Sequence, residues 1–266
     1  MRSSSSNGSP NNRNVILSII TIVYNGEKEI EKTIQSVIAN KQPGMEYIII
    51  DGGSNDGTLT IINQYIEHID KLISEPDLGI SDAFNKGIRN STGKWLNFLN
   101  GGDCFLPGIL QEYVVSCLSR DELDIVHGRI RLVDDTGLLL AIYGKAYKPW
   151  RFHLENSLPH QAMFINRQYF EIYGQYNLDF KIAMDYEHLL RKNKLETCFI
   201  NKPIANMLYG GISQTKLGNV TKEFKTALAM HKKHSKLFLS IYYFFKYLTY
   251  LKSKYKFNKI KRNAHR

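Results

Sequence analysis

Cysteine is scarce in these 266 residues: Cys104, Cys117 and Cys198 make an odd set of 3. Their spacing suits neither a disulfide framework nor a zinc site, so a reducing compartment is expected. No apolar stretch approaches the roughly 18 residues of a conventional membrane-spanning helix. The opening MRSSSSNGSPNNRN is polar and low in complexity and lacks the apolar centre of a signal peptide, so residues 1–14 are read as a disordered arm. No internal repeat is present. Also missing is a Gly-x-Gly-x-x-Gly turn after the first strand, where the chain reads Tyr24-Asn-Gly-Glu-Lys-Glu29. That sets aside a dinucleotide-dependent oxidoreductase.

The positive charge is unevenly distributed. The chain has a net charge of +10, yet residues 222–266 hold 13 Lys/Arg against one acid, Glu223, while the remainder holds 22 against 24. A nearly neutral domain, 15–221, therefore bears a strongly basic tail, 222–266. Within the tail, Leu237 to Leu251 is apolar and aromatic and is flanked by Lys232, Lys233, Lys236, Lys252, Lys254 and Lys256. Aromatics with lysines at both ends suit a helix lying in an anionic membrane interface. A terminal helix packing on the domain is the plain alternative. Nucleic acid is not the expected partner, because no binding module accompanies the basic stretch.

Apolar runs place the strands. Val15 to Val23 is β-branched and continuous, as in a parallel strand buried on both faces, and ends at Tyr24-Asn25-Gly26. Ile48 to Thr58 (IIIDGGSNDGT) is a strand that delivers Asp51 to a glycine-rich, small-polar loop of the kind that holds a phosphate or nucleotide. Helical spacing over 27–39 and 58–69, a short strand at Leu72-Ile73, a Pro/Gly loop from Ser74 to Asp82, a helix over 83–89 and a strand over 94–99 complete a β-α alternation. Right-handed crossovers and a mostly parallel sheet follow. Beyond Asp103 a helix over 107–118, a hairpin from Ile125 to Tyr143 about Asp135-Thr-Gly137, a strand over 161–165 and a helix over 185–193 are expected.

Five ordered blocks carry a resemblance: Thr21-Ile-Val-Tyr-Asn25, Ile50 to Thr58, Glu75 to Gly87 (EPDLGISDAFNKG), Phe98-Leu-Asn-Gly-Gly-Asp103 and Met184 to Arg191 (MDYEHLLR). In order and spacing, over about Val15 to Gln214, the chain resembles family 2 inverting glycosyltransferases of GT-A fold. The wording of the second and third blocks resembles the branch that builds bacterial O-antigen, capsule and exopolysaccharide repeats. The fold so implied is α/β, a GT-A type Rossmann-like, mostly parallel sheet with helices on both faces.

The resemblance implies transfer of a hexose from a nucleotide-diphosphate sugar, read as a UDP-sugar, to a lipid-linked saccharide on the inner face of the plasma membrane. A protein that binds the donor without transferring it is the alternative. In the implied chemistry a divalent metal, Mn²⁺ or Mg²⁺, offsets the diphosphate charge and a carboxylate deprotonates the acceptor. Asp185 matches the base, with Glu187 as the fallback. Thr21, Tyr24, Asn25, Asp51, Gly52, Asp82 and Lys86 fall in the donor-side blocks. Asp103, assisted by His160, is the metal candidate. Here the chain departs from the family: Asn100-Gly-Gly-Asp103 stands where an Asp-x-Asp box is usual, the customary metal-binding Asp aligns with Gly102, and Gly52 stands where a second Asp often contacts the base. Asn85, His160-Gln161 near the acceptor or metal, and Gly210-Gly-Ile-Ser213 as a loop closing on the diphosphate complete the candidates.

Overall fold

The computed structural model describes residues 15–154, 156–210, 217–231 and 244. One mixed sheet runs through it. Strands β1 (Leu17–Val23), β2 (Met45–Asp51), β3 (Lys71–Ser74) and β4 (Trp95–Asn100) are parallel and lie in the order β3-β2-β1-β4. The sheet continues through β8 (Met163–Asn166), β6 (Ile125–Val133) and β9 (Thr197–Leu208) to the short β5 (Cys104–Phe105), with β7 (Leu139–Tyr143) paired on β6. β4 meets β8 antiparallel, and β6 and β9 run parallel with two register shifts.

β1 is buried at all seven positions, so its side chains alternate between two cores. Ile20 and Ile22 join Ile48, Phe84, Ile88 and Phe98 on one face, while Leu17, Ile19 and Val23 join Ile34, Val37, Ile49 and Leu99 on the other. Helix α1 (Ile30–Asn40) supplies the second face by burying Ile30, Thr33, Ile34 and Val37, a 3–4–7 spacing. Helix α3 (Ile80–Asn90) covers the first face, with Gly87 seated directly on Ile20. Each isoleucine so buried contributes about 1.5–3 kcal/mol relative to exposure. The chain runs outward from β1 to β3 and then returns to β4 on the other side of β1. The carboxyl ends of β1 and β4 therefore flank a topological switch point.

The second half differs more from the sequence expectation. The hairpin forms as β6–β7 and the strand as β8. The segment 107–118 folds as a π turn (Leu110–Val114) and a 3₁₀ turn (Val115–Cys117) that follow Gly108 at φ +69°. Helix α2 (Thr58–Asn63) stops early and is followed by a 3₁₀ turn at Ile66–His68. Helices α4 (Pro149–Phe152) and α5 (Arg167–Tyr173) and the 12-residue β9 were not expected from the sequence. Helix α6 (Met184–Leu189) carries Asp185. Helix α7 (Leu217–Met230) spans the 221/222 boundary drawn between domain and tail, with Ala227 and Leu228 fully buried. The arm 1–14 and the aromatic stretch of the tail, Phe244 apart, lie outside the described residues. No helix among the described residues is long and apolar enough to cross a membrane.

Candidate functional site

The first two strand-end loops are stitched together. Asn25, at φ +49°, donates its N–H to Ser54 Oγ at 2.8 Å and accepts the Asn55 N–H on Oδ1 at 3.0 Å. Gly26 N–H reaches Thr58 Oγ1, Glu27 N–H reaches Asp56, and Gly57 N–H reaches Glu27. Tyr24, 63% exposed, stands at the mouth. Asp51 is fully buried, and its carboxylate accepts from Ser54 N–H, Ser54 Oγ and, at 2.7 Å, Ser74 Oγ. The carboxylate thus fixes the bend of the glycine loop. Thr21 is also fully buried and accepts the Tyr47 hydroxyl at 3.1 Å. Gly52 leaves room for the Asp77 carboxylate: a Cβ there would lie 2.5 Å from Asp77 Oδ2. A carboxylate therefore occupies this place, but it comes from the Glu75-Pro-Asp77 loop.

That loop is braced from α3. Lys86 Nζ donates to Pro76 O at 2.7 Å and pairs with Glu75 at 3.0 Å and Asp82 at 3.7 Å. Asp82 also accepts the Leu78 N–H. Asn85 exchanges hydrogen bonds with both backbone groups of Tyr176, each at 2.9 Å, and Ser81 donates to Phe180 O. In this state Lys86 and Asp82 shape the loop, and Asn85 joins α3 to the segment leading to α6.

Asp103 lies at the end of β4 and is 4% exposed. It accepts from Gln161 Nε2 at 3.0 Å, Leu208 N–H at 3.3 Å and Asn100 Nδ2 at 3.3 Å. These donors are neutral, and burial pushes the carboxyl up to about 6. Gly102 sits at φ +102°, a conformation that disfavours any carboxylate-bearing residue there. The His160 ring stacks on Phe98 and meets Phe84 edge-on, its Nε2 is buried without a protein partner, and burial lowers its pKa to about 4. Gln161, the next residue, is the one that touches Asp103. No group of three or more His, Cys, Asp or Glu with metal-ligand geometry occurs among the described residues. A buried carboxylate lacking a cationic partner nevertheless fits a hard cation that takes its other ligands from substrate phosphates.

Asp185 is 8% exposed in the first turn of α6. Oδ1 accepts the Tyr186 N–H at 2.7 Å, and Oδ2 has a long 3.4 Å contact to Asn156 Nδ2. Burial raises its pKa to about 6. Glu187 is paired differently: Arg191 grips both its oxygens at 3.1 and 2.7 Å, and the His231 ring lies 2.9 Å from Oε1. That pairing holds Glu187 below the ordinary range against the opposing effect of burial, leaving Asp185 the freer carboxylate. Sequence reasoning did not find Asn156 or Ser74, which have no local motif; Gln161 was signalled by its His-Gln pair. Gly211 to Ser213 lie outside the described residues.

Known proteins resemble the chain in sequence and in fold. Residues 18–186 match the model for Glycosyl transferase family 2, more than half of the chain. The chain is 29% identical over 223 residues to a PGL/p-HBAD biosynthesis glycosyltransferase of Mycobacterium tuberculosis, covering 81% of this chain and 84% of that one. It is 34% identical over 185 residues to an uncharacterized glycosyltransferase of the same species, covering 66% and 68%. Among solved structures, Staphylococcus aureus TarS 1-349 in complex with UDP-GlcNAc superposes with a TM-score of 0.65 at 15% identity, over 80% of this chain and 66% of that one. The mannosyltransferase PcManGT of Pyrobaculum calidifontis, in complex with GDP-Man and Mn²⁺, gives 0.63 at 14%, over 82% and 64%. The chain thus spans about two thirds of these solved structures, whose likeness shows the GT-A fold. By its family match and its sequence relatives, the chain belongs to glycosyltransferase family 2.

Proposed function

We propose that the protein transfers a hexose from a nucleotide-diphosphate sugar, with inversion, to a lipid-linked saccharide in surface polysaccharide synthesis. The observation that carries this reading is Asp185: a buried carboxylate with one short backbone contact, one loose contact through Oδ2, and a pKa near 6. A general base works best when its pKa lies close to the operating pH. The acceptor oxygen forms its bond to the sugar C1 as the bond from C1 to the leaving diphosphate breaks. The acceptor proton passes to Asp185, with Oδ2 the freer oxygen.

The remaining residues have defined tasks. The interlocked loops from Tyr24 to Gly26 and from Gly52 to Thr58 hold the donor, and Asp51 keeps the second of them bent. Asp103 would hold a divalent cation, whose chemistry when bound is to offset the charge of the departing diphosphate. Nucleotide sugars bound in the TarS and PcManGT structures support the donor class, and Mn²⁺ in the latter supports the metal. The mycobacterial relative is named a biosynthesis glycosyltransferase, which supports a biosynthetic transfer. The basic, aromatic sequence of residues 232–256 supports peripheral attachment to an anionic membrane face.

The test is thermal stabilisation by UDP, GDP, dTDP and CMP, each with and without Mn²⁺, followed by turnover of the matching sugar nucleotide and the anomeric configuration of the product. A metal-dependent shift with one diphosphate and an inverted product are expected. Donor binding without transfer to any acceptor would leave a nucleotide-sugar-binding protein instead.

A further inference from the structure

Helix α7 brings three side chains onto the segment that presents Asp185. The Glu223 carboxylate accepts three consecutive backbone N–H groups, from Lys181 at 3.3 Å, Ile182 at 2.9 Å and Ala183 at 2.8 Å. Phe224 packs on Tyr186 with ring centroids 4.3 Å apart, and His231 reaches Glu187. Ala183 is the capping residue just before α6, and its side chain makes no capping hydrogen bond. The first N–H groups of a helix and those just before it have no intrahelical acceptor. Here the acceptor comes from about 40 residues downstream and stands two residues from Asp185.

We propose that Glu223 is a positioning residue for the transfer reaction, holding the backbone of Lys181 to Ala183 so that Asp185 is aimed at the acceptor hydroxyl. The proposal rests on the reading of Asp185 as the base. The groups facing Asp185 are Asn156 from the loop after α4, Tyr176 from the loop after α5 and Glu223 from α7. Glu187, further along α6, is occupied by Arg191 and His231. Of the facing groups Glu223 adds negative charge, which works with burial to raise Asp185. Glu223 therefore affects both the direction and the basicity of the carboxylate.

Two readouts need no donor. Amide hydrogen exchange of the full chain should quicken at Lys181 to Ala183 in E223A by about tenfold, the scale of a lost helix cap, with β1 to β4 unchanged. Carboxyl ¹³C titration of aspartate-labelled protein, with the Asp185 signal identified by its loss in D185N, should show a lower midpoint in E223Q than in wild type. The side-chain amide introduced by E223Q still accepts a hydrogen bond, so this variant covers the case in which E223A fails to fold. The third readout is release of diphosphate from UDP-GlcNAc and GDP-mannose, where E223A should lower kcat while leaving the donor KM unchanged, a split that a merely structural contact would not give. Unchanged exchange and an unmoved midpoint would overturn the proposal, as would faster exchange with wild-type kcat. Retained turnover in D185N, or none in wild type, would count against the base reading, and the first two readouts would still decide whether Glu223 positions the loop.

Discussion

From β1 through α3, Asp82 and Lys86 are paired and two loops are sewn together by hydrogen bonds, whereas from β4 onward Asp185 keeps one short and one long contact and Asp103, like Asp51, meets only neutral donors. Among the described residues, the buried polar side-chain atoms without a protein partner follow the same division. Asn97 Oδ1, both His127 nitrogens, Arg129 Nε, Ser157 Oγ, His160 Nε2, Tyr176 OH, His188 Nδ1 and Asn206 Oδ1 all belong to residue 97 or later. The difference indicates how work is shared. On the proposed reading, the donor loops are fixed by the protein's own hydrogen bonds, while the carboxylate proposed as the base keeps one oxygen loosely held.

The sharpest way to break this comparison is Asp185→Asn. Transfer should fall about 10²–10⁴-fold while donor binding is retained, by turnover and calorimetry; intact turnover would remove the division of labour. Next is Asp51→Ala, which strips the acceptor from Ser54 and Ser74 and should destabilise the fold by about 3 kcal/mol in urea titration, with donor affinity falling alongside. If affinity falls and stability does not, Asp51 contacts the ligand directly and the donor side is less self-contained than described.

The pH dependence comes third. Asp103 and Asp185 have folded pKa values near 6, above the ordinary 3.8, so between about pH 4 and 6 the native state binds more protons than the unfolded state. Their contribution is therefore present at low pH and is lost as pH rises toward 6, on the order of 3 kcal/mol for each carboxylate. The stability difference between wild type and Asp103→Asn, measured by denaturation at each pH, should grow in favour of the variant over that window and be flat above it. Turnover should follow the opposite course, rising through about pH 6 as Asp185 ionises. The smallest effect is Thr21→Val, which leaves the Tyr47 hydroxyl without its acceptor and should cost about 1 kcal/mol with donor affinity unchanged. A loss of affinity would bring Thr21 into the binding surface.

The same division governs what could be read from the sequence. β1, β2 and β4 were legible because a parallel strand buried on both faces is a mostly apolar run, as Leu17–Val23 is, and Trp95–Asn100 is interrupted within the strand only at Asn97. β9 escaped because TCFINKPIANML places Pro203 mid-strand, breaks alternation with Asn201 and Lys202, and pairs through two register shifts. Asp103 and Asp185 were singled out by the five ordered blocks, and their burial against neutral donors was not visible in any local pattern. Glu223 was hidden by charge counting, as one acid in a basic tail. The spacing of Val220, Phe224, Ala227 and Leu228 was the better guide to that segment.

The cap on Lys181 to Ala183 also bears on the order of synthesis. A ribosome delivers β1 to β4 first, and contacts among neighbouring βαβ units can form while the rest of the chain is still being made. Glu223 emerges some forty residues after the backbone it fixes. A growing chain can thus complete the first two loops before the segment carrying Asp185 is locked; on the proposed reading, a grip on the nucleotide then precedes the ability to use it.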